Sequence, residues 1–434
     1  MDVTVIGAGP AGLAAGLECL RLGAKCQIIE ASDNPGGMGR TYWCDGYGFD
    51  EGPHRFFTKN SDVLHLWKST LARDFFCVPR QTRILREGKY YDYPIRMTNI
   101  LSNIGICEVA RIVSSWISAR VLPIDESESF ANWVTAQFGE RIYESFFRDY
   151  TEKVWGIPCT EISAQWAAQR IKGMSALAIA RSLFLSGERP KSMVAEFWYP
   201  RYGSGQMYDE MARTFIRRGG VIAYDSPCTE ISLDEPTIST MPLDAFMRLV
   251  RGPTHDARYR AHLTVNLILD RPCPFRDNWI YVHDREIGAA RMTNPESFSP
   301  YLVAGNGSVG VEYFCDAGDE LWRLADADLK GRAIADVRSL PNARTVRATN
   351  GFVVRSALAY PVYTPASEAW IDNVRAWLLP RNNLQVAGRA GLFRYNNMDH
   401  SLYTGILAAR NIVSGAGYDV WSVNSDAEYH EGGR

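Results

Sequence analysis

Apolar and polar residues divide the 434-residue chain into segments of two different periods. Residues 2–7 (DVTVIG) form a short apolar run that predicts a buried strand, and the apolar stretch from Ala11 to Leu22 that follows predicts a helix. Cys26 to Ile29 predicts a second strand, ending at Glu30. Residues 100–195 read as mainly helical, with Ser127 and Ser129 as capping candidates. Alternation in LTVNLILD (Leu263 to Asp270), NWIYVHD (Asn278 to Asp284) and SVGVEYFC (Ser308 to Cys315) predicts strands of a central sheet. Near the C-terminus, NLQVA (Asn383 to Ala387) predicts a strand and Leu402 to Ile412 an apolar helix, with Asp399 or Ser401 as its cap.

The first strand–helix pair carries chemistry. Its connection reads GAGPAG, with Gly7, Gly9 and Gly12 at dinucleotide-binding spacing. Gly7 permits the tight turn, Gly9 lets the backbone approach a pyrophosphate, and Gly12 lets helix and strand pack closely. The helix N-terminus stabilises the phosphate charge, and Glu30 is placed to accept hydrogen bonds from a ribose. The glycines alone are a weak signal; strand, glycines, helix, second strand and acidic residue in register are a strong one. The next segment, SDNPGGMGRT (Ser32 to Thr41), resembles the loop by which many FAD proteins wrap the pyrophosphate, with Gly36, Gly37 and Arg40 in that role. The dipole of the late helix would stabilise negative charge on a reduced flavin. The FAD domain therefore opens and closes the chain.

Composition narrows the rest. The net charge of −2 gives no basic surface for nucleic acid. No basic, apolar leader precedes the first strand, and no run of about 18 uncharged apolar residues reads as a membrane span. The most apolar region, Asn99 to Ile124, is broken by Glu108, Arg111 and Arg120. A cytoplasmic protein is expected. Nine cysteines, scattered and never spaced as CxxC, predict reduced thiols and neither a disulfide framework nor a zinc site. No metal is expected.

Four blocks resemble the UDP-galactopyranose mutases, within the larger set of amine oxidase and protoporphyrinogen oxidase-like flavoproteins. They are the N-terminal fingerprint, GPHRFFTKN (Gly52 to Asn60), YESFFRDYTEKVWG (Tyr143 to Gly156) and GRAGLFRYNNMDHS (Gly388 to Ser401). The third is the most specific. The resemblance implies an α/β fold: a discontinuous Rossmann-type FAD-binding domain (1–75, 203–240 and 376–434), a mainly helical substrate domain (96–200) and an antiparallel β-sheet substrate domain (76–95 and 241–375). It also implies an FAD-dependent mutase, active with reduced flavin, that interconverts the pyranose and furanose forms of a nucleotide hexose. Reduced flavin attacks the anomeric carbon and displaces the nucleoside diphosphate. UDP- or GDP-linked galactose or a related sugar is the expected substrate, NAD(P)H or an electron-transfer partner the expected reductant, and a homodimer the family expectation.

By the same resemblance, Arg170 and Arg260 bind the diphosphate, for which paired guanidinium forks are suited. Tyr395 contacts the diphosphate, Arg389 lies near the flavin and His54 packs at the flavin. Phe146 and Tyr150 hold the nucleotide base by stacking. Trp155, Tyr202 and Arg291 lie near the substrate, and Asn397 and Met398 meet the cofactor at the late helix. Each residue type also has a plainer reading: an aromatic stripe as core, lone arginines as surface charges, His54 as a loop histidine. The chain departs from the pattern where Phe57 replaces the second histidine of GPHxFH, and where Ala290 precedes Arg291 in place of a tyrosine. Tyr281 and Tyr360 are candidate substitutes. The rival function is an FAD-dependent oxidoreductase of the amine or porphyrinogen oxidase type; a third is a flavin-binding scaffold without activity.

Overall fold

The computed structural model describes residues 1–93, 97–122, 124–164 and 195–424. The fold is α/β, built on two sheets. The first is fully parallel, in the order β16-β10-β1-β2-β9, and uses Asp2–Ile6 (β1), Lys25–Ile29 (β2), Val221–Ala223 (β9), Thr237–Ser239 (β10) and Leu384–Val386 (β16). Both ends of the chain thus enter one sheet. Its inward residues, among them Val3, Val5, Ile28 and Ile238, are buried against the helices Pro10–Arg21 and Met398–Ser414. Each such side chain contributes about 1.5–3 kcal/mol over its exposed state. The two helices pack side by side and are cross-linked by Glu18, which accepts hydrogen bonds from Arg21 (2.6 Å) and Arg410 (2.7 Å).

The second sheet has the order β15-β11-β14-β13-β12-β6-β7. Its strands are Thr82–Arg86 (β6), Lys89–Tyr93 (β7), Tyr259–Leu269 (β11), Trp279–Val282 (β12), Arg291–Thr293 (β13), Ser308–Cys315 (β14) and Ala348–Pro361 (β15). Neighbours run antiparallel except β6 and β12, which pair in parallel, so the sheet predicted as antiparallel is mixed at one junction. Every residue of β11 is buried, yet the strand alternates. Ala261, Leu263, Val265, Leu267 and Leu269 share one face and pack in a cluster with Leu329, Ala333 and Val337 of the helix Asp326–Arg338. By the two-residue period, Arg260, His262, Thr264 and Asn266 share the other. Register sets Glu312 of β14 between Thr264 of β11 and Arg291 of β13. The sheet therefore has one apolar and one polar, charged face. The polar face is the floor of the candidate active site.

The helical region contains Phe130–Phe138, capped by Ser129, whose Oγ accepts from the Asn132 amide. Ser127 instead bonds to Asp125. A π-helical turn, Tyr143–Arg148, runs into the helix Asp149–Trp155, which ends at Gly156. The late helix begins at Met398, earlier than the apolar pattern places it, and its cap is Asn397 in a reciprocal box with His400. Asp399 and Ser401 lie inside the first turn and do not cap it. Among the described residues, no helix is long and apolar enough to cross a membrane and no cluster of His, Cys, Asp and Glu forms a metal site. All nine cysteines are free.

Candidate active site

The turn after β1 is shaped for a pyrophosphate. Gly7 has φ 99°, a conformation that favours glycine, and a Cβ on Gly12 would lie 1.8 Å from the Gly7 carbonyl oxygen. The helix Pro10–Arg21 starts at Gly9 with no side chain capping its first turn, so its N–H groups are left for an anion. A Cβ on Gly9 would meet nothing within 4 Å. Glu30 accepts from the amides of Ala8 (2.6 Å) and Ser32 (2.9 Å), which ties the end of β2 to the glycine turn. Gly36 donates to the Ala8 carbonyl, folding the second glycine pair back over that turn, and Gly37 lies against Gly9. Arg40, expected to reach toward the cofactor, holds its own loop: its guanidinium donates to Ser32 Oγ, Asn34 O and Pro35 O.

A second group of residues gathers between the late helix and the polar sheet face. His54 is half-buried; desolvation, and then the nearby positive charges of Arg389 and Arg291, push its pKa down to about 3, so it is neutral. Its Nδ1 and the Nε of Arg389 are both buried with no hydrogen-bond partner among the described residues. Arg389 lies over the rings of Tyr360 (4.7 Å) and Tyr395 (4.2 Å), which stack on each other at 5.3 Å. Trp155 meets both rings edge-on. Met398, at the start of the late helix, touches Ser204 Oγ. The open glycine cradle, an uncapped helix start and two unsatisfied buried nitrogens near the second helix start suit a dinucleotide with a polar, electron-rich ring.

Arg291 belongs to a network centred on Glu312. The carboxylate of Glu312 is fully buried and accepts from Arg291 Nε (2.8 Å) and Thr293 Oγ1 (2.9 Å), bonds His262 Nε2 (2.9 Å), and pairs with Arg291 Nη2. Burial alone would raise its pKa; the Arg291 guanidinium and the His262 contact outweigh this and hold the group ionised well below the usual range. Arg260 is also committed. Its Nη1 pairs with Asp316 at 2.6 Å and its Nε donates to the Val154 carbonyl, beside Trp155 and Gly156.

The structure thus brings His54, Trp155, Arg291, Arg389 and Tyr395 together, with Tyr360 among them, and sets the buried Arg260 beside Gly156, paired with Asp316. Tyr150 lies beside them, its ring close to Arg291 and Glu312. Phe146 is not presented as an open platform: it is buried edge-on to Tyr91, with Arg86 over its ring. Tyr202 stands apart, 46% exposed and packed on Tyr301 at the surface. Turn geometry at the end of β8 (Glu196–Pro200) points it outward. Arg170 lies outside the described residues. Glu312, His262, Lys153 and His283 escaped the sequence reading. The available signal was a charged residue within a strand whose neighbours are all apolar, as in SVGVEYFC.

Asp399 gives a pH signature. Burial raises its pKa to about 7. A raised carboxyl pKa means that the folded state keeps a proton the unfolded chain has released, so its contribution to stability falls as pH rises from about 4 to about 7. Burial raises Asp50 likewise to about 7, whereas His54 and His283, both lowered to about 3, act in the opposite sense. The variant Asp399→Asn removes one contribution. Its melting temperature relative to the unaltered protein is expected to rise between about pH 4 and about pH 7. A difference that stays constant across that range would show that Asp399 is not protonated in the folded state.

The parallel sheet, glycine cradle and polar sheet face together define an FAD-binding flavoprotein with a Rossmann-type domain and a sheet domain. The chain belongs to the flavin containing amine oxidoreductases, whose family profile matches residues 10–413. FAD is its cofactor. Among curated proteins it is similar to the coproporphyrinogen III oxidase of Propionibacterium freudenreichii subsp. freudenreichii, with 25% identity over 174 residues, or 37% of this chain and 33% of that protein. It is also similar to a protein of Klebsiella pneumoniae named as a UDP-galactopyranose mutase, with 25% identity over 170 residues, or 38% of this chain and 43% of that protein. These matches span less than half of either relative. Two solved structures share the fold: reduced UDP-galactopyranose mutase (TM-score 0.84, 20% identity, 98% of this chain and 96% of that one) and putrescine oxidase bound to putrescine (TM-score 0.61, 15% identity, 95% and 99%).

Proposed function

We propose that this flavoenzyme is a nucleotide-sugar mutase that interconverts the pyranose and furanose forms of an NDP-hexose, with UDP- or GDP-galactose or a related sugar as substrate. The observation that carries the reading is the wall formed by Arg389, Tyr360, Tyr395 and Trp155, set beside neutral His54. When bound, reduced FAD supplies a nitrogen nucleophile for an anomeric carbon. Around it, the chain has to hold an anionic leaving group and exclude water. The Arg389 guanidinium, kept in place by two rings, supplies positive charge without needing to reorganise. Tyr395 contacts the diphosphate, and the aromatic rings shed water from the sugar. Arg260 joins the leaving-group site where a phosphate competes with Asp316. NAD(P)H or an electron-transfer partner provides the reduction.

Dithionite-reduced enzyme is expected to convert at least one member of a panel of UDP- and GDP-hexopyranoses to its furanose, and oxidised enzyme to do so poorly, as read by chromatography of the products. No conversion of any member by reduced enzyme would sink the proposal.

One observation favours the oxidase-type alternative. Phe146 is buried, and a parallel His283 covers one face of Tyr150, so neither ring offers a base the open platform expected of it. Oxygen-dependent peroxide release with an amine or a porphyrinogen would support that reading.

A further inference from the structure

We propose that His283 is a specificity-determining residue: it fills the stacking face of Tyr150, so that substrate is selected by its anionic group and not by its nucleotide base. This rests on the mutase reading of the same site. The His283 imidazole lies 4.6 Å from the Tyr150 ring, with 13° between the planes. Tyr281 blocks an edge of that ring at 5.6 Å and 83°. The ring also packs on the cluster that holds Trp155 and Tyr360. His283 is 8% exposed, so it is a buried part of the wall. A purine or pyrimidine stacking on Tyr150 needs the space that the imidazole occupies.

The fold holds this plug in place. Lys153 sits three residues after Tyr150 on the same helix. Its ammonium donates to the carbonyls of Val282 (3.1 Å) and Asp284 (2.8 Å), the two residues flanking His283, and to those of Ile287 (3.0 Å) and Ala289 (3.3 Å). The His283 amide donates to Leu85 O at 2.8 Å. Burial, and then the charges of Lys153 and Arg86, keep the imidazole uncharged, which suits stacking on a phenol ring. Lys153 is thus a positioning residue: one helix carries both the platform and the clamp on what covers it.

The test measures binding of free UDP, GDP and ADP to the reduced holoenzyme, apart from turnover. The unaltered protein is expected to bind the three within about threefold of one another, while His283→Ala is expected to bind at least one of them about tenfold tighter, the scale of one base–aromatic stack. His283→Phe, which restores a flat ring, should match the unaltered protein. Added imidazole should weaken nucleotide binding to His283→Ala and leave the unaltered protein unaffected, a readout that a merely structural role would not move. If the alanine variant does not fold, His283→Gln removes the ring at similar volume. The proposal is overturned if the ring-free variant keeps its flavin spectrum yet binds all three nucleotides as before, or if the unaltered protein separates the bases by more than about tenfold. Failure of every NDP-hexose to turn over would instead count against the mutase reading, whatever the nucleotide affinities.

Discussion

Replacing Glu312 with alanine is expected to destabilise the protein by about 3–5 kcal/mol, the usual consequence of removing one partner from a buried ion pair. Glu312 is 0% exposed and the Arg291 side chain 14% exposed, so little water can replace the lost carboxylate. The damage spreads along the polar sheet face. His262 and Thr293 lose the same acceptor, and Arg291 is left as an uncompensated charge at the edge of the active site. The variant Glu312→Gln keeps acceptor and donor atoms in nearly the same volume and should cost less than the alanine. Chemical denaturation of both holoproteins checks this. An alanine variant within about 1 kcal/mol of the unaltered protein would mean that the network is not a stability determinant.

The glycine turn gives the second large effect, in two separable parts. At Gly12, an added Cβ would sit 1.8 Å from the Gly7 oxygen and 2.9 Å from its carbonyl carbon. Both are backbone atoms, so no rotamer change relieves the contact and the helix must move off the turn. Gly12→Val is expected to lower the melting temperature and to weaken FAD binding by about a hundredfold or more, roughly 3 kcal/mol. Gly9 is the contrast. With nothing within 4 Å of an added Cβ, Gly9→Ala should leave the fold of the apoprotein intact and still weaken FAD binding, because the methyl group would stand where a pyrophosphate approaches. Flavin absorbance after purification and thermal melts of both apoproteins separate the two. Retention of FAD by Gly9→Ala at full affinity would show that the pyrophosphate does not lie against that residue.

The nucleotide cradle depends on neighbours in the chain: Gly7, Gly9, Gly12 and Glu30 lie within 24 residues, and local geometry gives each a recognisable type. Strands with strong alternation or continuous apolar character were legible for the same reason, and Ser308–Cys315 has the predicted bounds. Helix starts were less so. Asn397 caps the late helix with help from His400, while Asp399, an equally good capping type, lies buried inside the first turn.

The sequence by itself determined that this chain binds FAD in a two-ended Rossmann-type domain and carries a sheet domain. Periodicity and short-range glycine spacing suffice for that. Tertiary structure alone decided which charges are spent on one another and which rings keep a free face. Arg260 and Asp316 are 56 residues apart, Arg291 and Glu312 are 21 apart, and Tyr150 meets His283 across the join of a helix and a sheet edge. Such pairings arise when the strand register sets side chains opposite each other in a space without water. There an arginine that looks free in the sequence has to find its counter-charge, and an aromatic ring its cover.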